Sequence, residues 1–130
     1  MSEEIKAILK QSKTIAVVGL SDKPDRPSFQ VASYLKDHGY RIIPVNPLAR
    51  EILGEKSYPN LKSIPEKVDV VDIFRKGEAV PEITAEAISI GAKVLWMQEG
   101  IVHNASADQA RRAGLLVVMN QCMLKEHRRL

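Results

Sequence analysis

Four short apolar runs in this chain do not alternate with polar residues. They are Thr14-Ile15-Ala16-Val17-Val18-Gly19-Leu20, Val68-Asp69-Val70-Val71-Asp72-Ile73-Phe74, Lys93-Val94-Leu95-Trp96-Met97 and Leu115-Leu116-Val117-Val118-Met119. A strand with one wet face alternates, whereas a run without alternation is buried on both faces. Strands of that kind belong to parallel sheets covered by helices. The segments between the runs carry helical spacing instead. Ile5, Ile8 and Leu9 share one face of residues 3–12, and Phe29, Ala32 and Leu35 share one face of residues 28–38. Val80, Ile83, Ala87 and Ile90 do the same before Gly91, with Pro81 placed in the first helical turn. Residues 104–113 form an alanine-rich helix that ends at Gly114.

One connection recurs three times: a helix, a glycine, two residues and an apolar strand, at Gly39, Gly91 and Gly114. Tight joints of this sort link helices to buried strands, and right-handed crossovers then wind the sheet on both sides. The expectation is a three-layer, Rossmann-like α/β fold, with a doubly wound parallel sheet of about five to six strands in a single domain over residues 1–130. Arg41–Asn46 supplies a further strand, in which Pro44 removes one ladder donor. Residues 47–67 read as turns around a short edge strand near Lys56–Tyr58, Ser28 as the cap of its helix, and residues 121–130 as a polar tail of one helical turn or two. The apolar runs are far too short to span a membrane, and the acidic start Met1-Ser2-Glu3-Glu4 is no secretory leader. A cytoplasmic location is expected. The net charge of +3 comes from scattered basic residues and calls for no nucleic acid. A single cysteine excludes a disulfide framework, and no two histidines are spaced for a metal.

In open parallel sheets, ligands bind beyond the carboxyl ends of the strands, where the strand order reverses. The strands deliver Gly19–Ser28, Asn46-Pro47, Arg75-Lys76, Gln98–Ile101 and Asn120–Cys122 to that edge. Apart from Asp22, Asp25 and Glu99, this inventory of Gly, Ser, Asn, Gln, Lys and Arg suits phosphates and an amide-rich ligand. The first loop links a buried strand to a helix N-terminus, which is the place for a phosphate. Gly19 allows close backbone approach, Ser21 and Ser28 offer hydroxyls, and Lys23 and Arg26 offer charge. Yet the loop lacks G-x-G-x-x-G and G-x-x-x-x-G-K-[ST]. Asn46 stands where dinucleotide enzymes place an acid for the ribose hydroxyls.

Val18-Gly19-Leu20-Ser21, Arg26-Pro27-Ser28, His38-Gly39-Tyr40, Pro44-Val45-Asn46-Pro47, Val68–Arg75, Gly91-Ala92-Lys93 and Gln98-Glu99-Gly100-Ile101 together resemble the small stand-alone CoA-binding proteins. Their fold is similar to the N-terminal domain of the succinyl-CoA synthetase α subunit. The resemblance runs from about residue 5 to residue 130. It implies coenzyme A or an acyl-CoA as the small-molecule ligand, with no assigned reaction and no implied protein partner. The synthetase's phosphohistidine lies in a second domain, so that chemistry does not carry over. The likeness assigns the phosphates to Gly19, Leu20, Ser21, Lys23, Arg26 and Ser28, and the adenosine part to Asn46, Pro47, Phe74 and Arg75. Gln98, Gly100, Asn120 and Cys122 fall toward the pantetheine.

Two other readings stand beside this one. A nicotinamide-dependent oxidoreductase is opposed by Asn46 and the missing glycines, and no catalytic pair stands out. A regulatory sensor of acyl-CoA or redox state is not separable by sequence from a plain binding module. The plainer reading of Cys122 is a small buried thiol. Asp72, inside an apolar strand, reads as structural, and the run Lys125–Arg129 as solvated.

Overall fold

The computed structural model describes residues 1–130. Five strands form one parallel sheet: β1 (Thr14–Val18), β2 (Arg41–Val45), β5 (Val70–Ile73), β6 (Val94–Met97) and β7 (Leu116–Val118), in the order β2-β1-β5-β6-β7. Two further strands, β3 (Glu51–Ile52) and β4 (Glu55–Lys56), pair antiparallel as a separate small ribbon. Alternate residues of each unbroken apolar run point to opposite faces of the sheet, as the period of a strand requires. Ile15, Val17, Val70, Trp96 and Val118 face one layer, where α1 (Glu3–Gln11), α2 (Pro27–Asp37) and α5 (Met123–Arg128) supply Ile8, Leu9, Val31, Leu35 and Met123. Ala16, Val18, Val71, Ile73, Leu95, Met97 and Val117 face the other layer, where α3 (Val80–Ser89) and α4 (Asn104–Arg112) supply Val80, Ile83, Ala87, Ala107 and Ala110. Each fully buried Ile, Leu or Val contributes about 1.5–3 kcal/mol, so a sheet covered on both sides is the arrangement these runs require. The fold is the doubly wound, Rossmann-like one expected, with five strands in the main sheet.

Two local features differ from the sequence reading, and a third sharpens it. Ser28 does not cap α2. The N-cap position is Arg26, which makes no side-chain cap bond, and Pro27 occupies the first turn. The edge strand placed near Lys56–Tyr58 is instead the hairpin arm Glu55–Lys56, followed by a single parallel bridge between Tyr58 and Val45. Tyr58 N–H donates to the Pro44 carbonyl and Asn46 N–H to the Tyr58 carbonyl. The missing N–H of Pro44 therefore faces this outer edge, not the ladder with β1. The one or two helical turns expected in the polar tail are helix α5, and what the sequence reading lacked is its burial. Its first residue, Met123, is completely buried, because the helix lays its apolar side over Trp96 and Val118.

The sheet order reverses between β1 and β5. From β1 the chain passes through α2 to β2 on one side, then returns past β1 to β5 on the other. The loops leaving β1 and β5 diverge, and a crevice opens between them at the carboxyl end of the sheet. No helix is long and apolar enough to cross a membrane.

Candidate ligand-binding site

The crevice begins at Gly19. Its amide donates to the Val45 carbonyl (3.0 Å), and its φ of +87° is a left-handed conformation that side chains rarely adopt. A β-carbon here would lie 3.0 Å from Cδ and 3.1 Å from Cγ of Arg75. Glycine is thus required both by the turn and by the Arg75 side chain lying over it. The next residue, Leu20, is fully buried and anchors the loop in the α1/α2/α5 core. Only its backbone is available to the site, and its carbonyl accepts from Asn46 Nδ2 (2.9 Å).

Beyond Leu20, the loop is shaped by its own hydroxyls. Buried Ser28 Oγ accepts from the Ser21 amide (3.0 Å), Ser21 Oγ accepts from the Lys23 amide (3.1 Å), and the Arg26 amide donates to the Lys23 carbonyl (3.0 Å). Both serines therefore fold the loop back onto the start of α2. Since no side chain caps α2, the amides of Ser28 and Phe29 in its first turn remain available to an anion. Lys23 and Arg26 are exposed around them.

Asn46 and Arg75 complete the near wall. Asn46 Oδ1 accepts from the Leu48 amide (2.8 Å), so its two polar atoms join the end of β2 to the Gly19 loop and to its own turn. Gly19, Asn46, Pro47 and Arg75 meet in one cleft of about 520 Å³. The structure adds residues that sequence reasoning missed: Leu48, Asn60, Glu82 and Glu86 also line it. Leu48 is 95% exposed, an apolar side chain without a core partner beside the cleft. Glu86 is occupied by the Leu61 amide (2.9 Å), while Glu82 is exposed one helical turn earlier. The spacing of these two glutamates on α3 was the available signal. Phe74 packs its ring against the α1/α2/α5 core and does not line this cleft.

The remaining candidates gather at the other end of the same edge. Asn120, at a positive φ of 58°, accepts the Gly100 amide on Oδ1 (2.7 Å) and ties the loops after β6 and β7 together. Gln98 is buried and donates from Nε2 to Asp72 Oδ1 (2.7 Å). Asp72 is fully buried, and its second oxygen has no partner. Burial pushes its carboxyl up to about 7, against the opposing effect of the Gln98 bond. Cys122 is buried among Trp96, Val118 and Met123 at the start of α5. The Trp96 indole donates to the Gln121 carbonyl beside it (2.8 Å).

The charges are divided in a way that bears on ligand chemistry. Lys23, Arg26, Arg75 and Lys76 enter no ion pair, whereas Lys36, Arg41, Lys93, Arg111, Lys125 and Arg129 all do. Free cations and uncapped helix amides are the groups that hold anions.

Comparison with known proteins gives the chain a family. A family described as the CoA binding domain matches residues 13–128. The chain belongs to that family. It is 44% identical over 124 residues to the uncharacterised protein YneT of Bacillus subtilis, a match covering 95% of this chain and 92% of that protein. It is 40% identical over 83 residues to an ADP-forming acetate–CoA ligase (II) of Archaeoglobus fulgidus, and that match covers 62% of this chain but only 12% of the ligase. Among solved structures, a hypothetical protein from Pyrococcus horikoshii superposes with a TM-score of 0.96 at 45% identity, covering 98% of this chain and 90% of that one.

Proposed function

We propose that the chain binds coenzyme A or an acyl-CoA across the carboxyl edge of its sheet, with no defined catalytic reaction. The observation that carries this reading is the first loop. Gly19 and Arg75 line the crevice, and the loop leading on from Gly19 carries the unpaired Lys23 and Arg26 to the uncapped start of α2. A pyrophosphate and a 3′-phosphate need such a convergence of amides and cations, because charge-assisted bonds are the strong ones. The cleft bounded by Asn46, Pro47 and Leu48 suits a flat adenine with an apolar face. The pantetheine arm, with its two amides, would follow the edge toward Gly100 and Asn120. Membership of the CoA binding domain family supports the same ligand.

A nicotinamide dinucleotide is the weaker candidate. Asn46 is a neutral amide tied to Leu20 and Leu48, so the acid that dinucleotide enzymes place at the end of β2 for the ribose hydroxyls is absent. Nor does the chain's small overlap with the acetate–CoA ligase lend it that enzyme's activity.

Isothermal titration with CoA, dephospho-CoA and NAD tests the reading. The expected order is CoA tightest, dephospho-CoA weaker for want of the 3′-phosphate, and NAD weakest. NAD binding at least as tightly as CoA would overturn it.

A further inference from the structure

At the end of the carboxyl edge away from the first loop, two side-chain amides each have one polar atom tied down and the other free. Gln98 follows β6, and its Nε2 donates to Asp72 Oδ1 (2.7 Å). Asn120 follows β7, and its Oδ1 accepts the Gly100 amide (2.7 Å). The Gln121 amide donates to the Met97 carbonyl (3.3 Å), which holds these two strand ends side by side. We propose that Asp72 is a positioning residue. It turns the Gln98 amide so that Oε1 faces the ligand edge and accepts a secondary amide N–H, while Asn120 Nδ2 donates to an amide carbonyl. On the coenzyme A reading, which this inference requires, the amide is one of the two in the pantetheine arm.

As a packing residue alone, Asp72 is poorly chosen. It stands in the middle of the sheet, opposite Val17 of β1 and Trp96 of β6, and both belong to the apolar layer under α2 and α5. Its side chain is fully buried and Oδ2 has no partner. A polar oxygen buried without a hydrogen bond costs stability, so a valine would pack there better. What Asp72 does supply is one acceptor, and Gln98 uses it. The orientation of a primary amide is set by which of its ends finds a complementary partner. An ionised carboxylate only accepts, so the Gln98 nitrogen must face it, and Oε1 is directed away. Two side-chain atoms are sealed in the chain without a partner, Asp72 Oδ2 and Thr84 Oγ1. Gln98 Oε1 has no partner either and is not one of them, so it reaches the surface although the residue is only 3% exposed. Gln98 lies at the carboxyl end of β6, between helices that cover both faces of the sheet, so the carboxyl edge is where that atom emerges.

The two open atoms are opposite in kind. An acceptor on Gln98 and a donor on Asn120 match the N–H and the C=O of amide groups. A phosphate, which only accepts, has no use for Gln98 Oε1. Each side chain is preorganised, because its other polar atom is already committed inside the chain. Neighbouring groups are occupied: the Gly100 amide by Asn120, the Trp96 indole by the Gln121 carbonyl, and Lys125 by Glu99. This end of the edge therefore offers a neutral, amide-like pair, in contrast to the unpaired cations of the first loop.

The test is isothermal titration at about pH 8, where the Asp72 carboxyl, pushed up to about 7 by burial, is ionised. It compares CoA with adenosine 3′-phosphate 5′-diphosphate, which is CoA without its pantetheine arm. The wild type should bind CoA more tightly than this nucleotide. Asp72→Val removes the acceptor and should weaken CoA about fivefold, as the loss of one neutral hydrogen bond implies, while the nucleotide keeps its affinity. Asp72→Asn still offers Gln98 an oxygen and should bind CoA as the wild type does. Equal losses for CoA and nucleotide in Asp72→Val would make Asp72 purely structural and overturn the proposal. So would a loss in Asp72→Asn as large as in Asp72→Val. Should Asp72→Val not fold, the Gln98 side-chain amide resonances of the wild type decide. They should move on adding CoA and not on adding the nucleotide, and resonances unmoved by CoA overturn the proposal. CoA binding no tighter than the nucleotide overturns this inference alone, whereas no binding of either overturns the coenzyme A reading with it.

Discussion

Two aspartates three residues apart on one run of chain show how differently the two ends of the sheet are built. Asp69, entering β5 at the amino edge, accepts the amides of Lys13 (2.9 Å) and Thr14 (3.0 Å) and faces Lys93 at 3.6 Å. Burial works against its charge, but those amides and the lysine hold its carboxyl below the ordinary value. Asp72, one turn of the pleat closer to the carboxyl edge, has a single partner in Gln98 and a bare second oxygen, and its carboxyl is raised. The same contrast runs across the whole molecule. Around the start of β2, Arg41 bridges Glu55 and Glu66, both held below their usual values, and Lys36 also pairs with Glu55. At the carboxyl edge Lys23, Arg26, Arg75 and Lys76 enter no ion pair, and Lys125 pairs with Glu99. The amino edge ties Arg41, Lys93 and three carboxylates into pairs of its own. The other leaves donors and cations for something else to satisfy.

The sharpest way to break this comparison is through pH. A carboxyl raised on folding makes the native state less stable as the pH rises from its unfolded value toward about 7, because the unfolded chain loses that proton first. Between pH 5 and 8 this is worth roughly 3 kcal/mol. Asp72→Asn should flatten that decline in urea melts, and an unchanged slope would show that Asp72 is not protonated in the fold. Asp69→Ala should act in the opposite sense. It leaves two amides without their acceptor, and stability should drop by about 2–3 kcal/mol while CoA affinity stays as it was.

Two further substitutions probe the open edge. In Gly19→Val a branched side chain must sit at φ +87° against Arg75, for a stability loss of about 1–2 kcal/mol. Binding should suffer more visibly, by about tenfold or greater, because the turn and the arginine are displaced together. Arg26→Ala has the smallest reach. It should weaken CoA about tenfold at low salt, as the loss of one charge-assisted contact implies, with an unaltered melting temperature. An unchanged dissociation constant would make Arg26 a solvated side chain and no more.

Most of the fold was legible because burial on both faces leaves an unmistakable pattern. Val70, Val71 and Ile73, or Leu95, Trp96 and Met97, cannot be read as a half-wet strand. The site was legible only as an address. Position relative to the strand ends placed Gly19, Asn46, Pro47 and Arg75 at one crevice. It could not show that Asn46 spends both polar atoms on the chain, or that Leu20 and Phe74 turn their side chains into the core. Ser28 misled because a serine before an apolar helix resembles a cap. Here Pro27 already occupies the first turn, and the hydroxyl is used on Ser21. The docking of helix α5 on the sheet was hidden because its apolar content is concentrated in Met123 and Leu124, while the charged run that follows dominates the local composition. His127 also lies 93 residues from its partner Tyr34, a separation over which no local spacing rule operates.

The division between a satisfied edge and an open one is tested most directly by mapping CoA onto the protein through amide chemical-shift changes. The account predicts perturbations at Gly19, Ser21, the first turn of α2, Asn46–Leu48 and Arg75, extending to Gly100, with Arg41, Glu55, Asp69 and Lys93 unmoved. Shift changes centred on the amino edge, or none at saturating CoA, would contradict it.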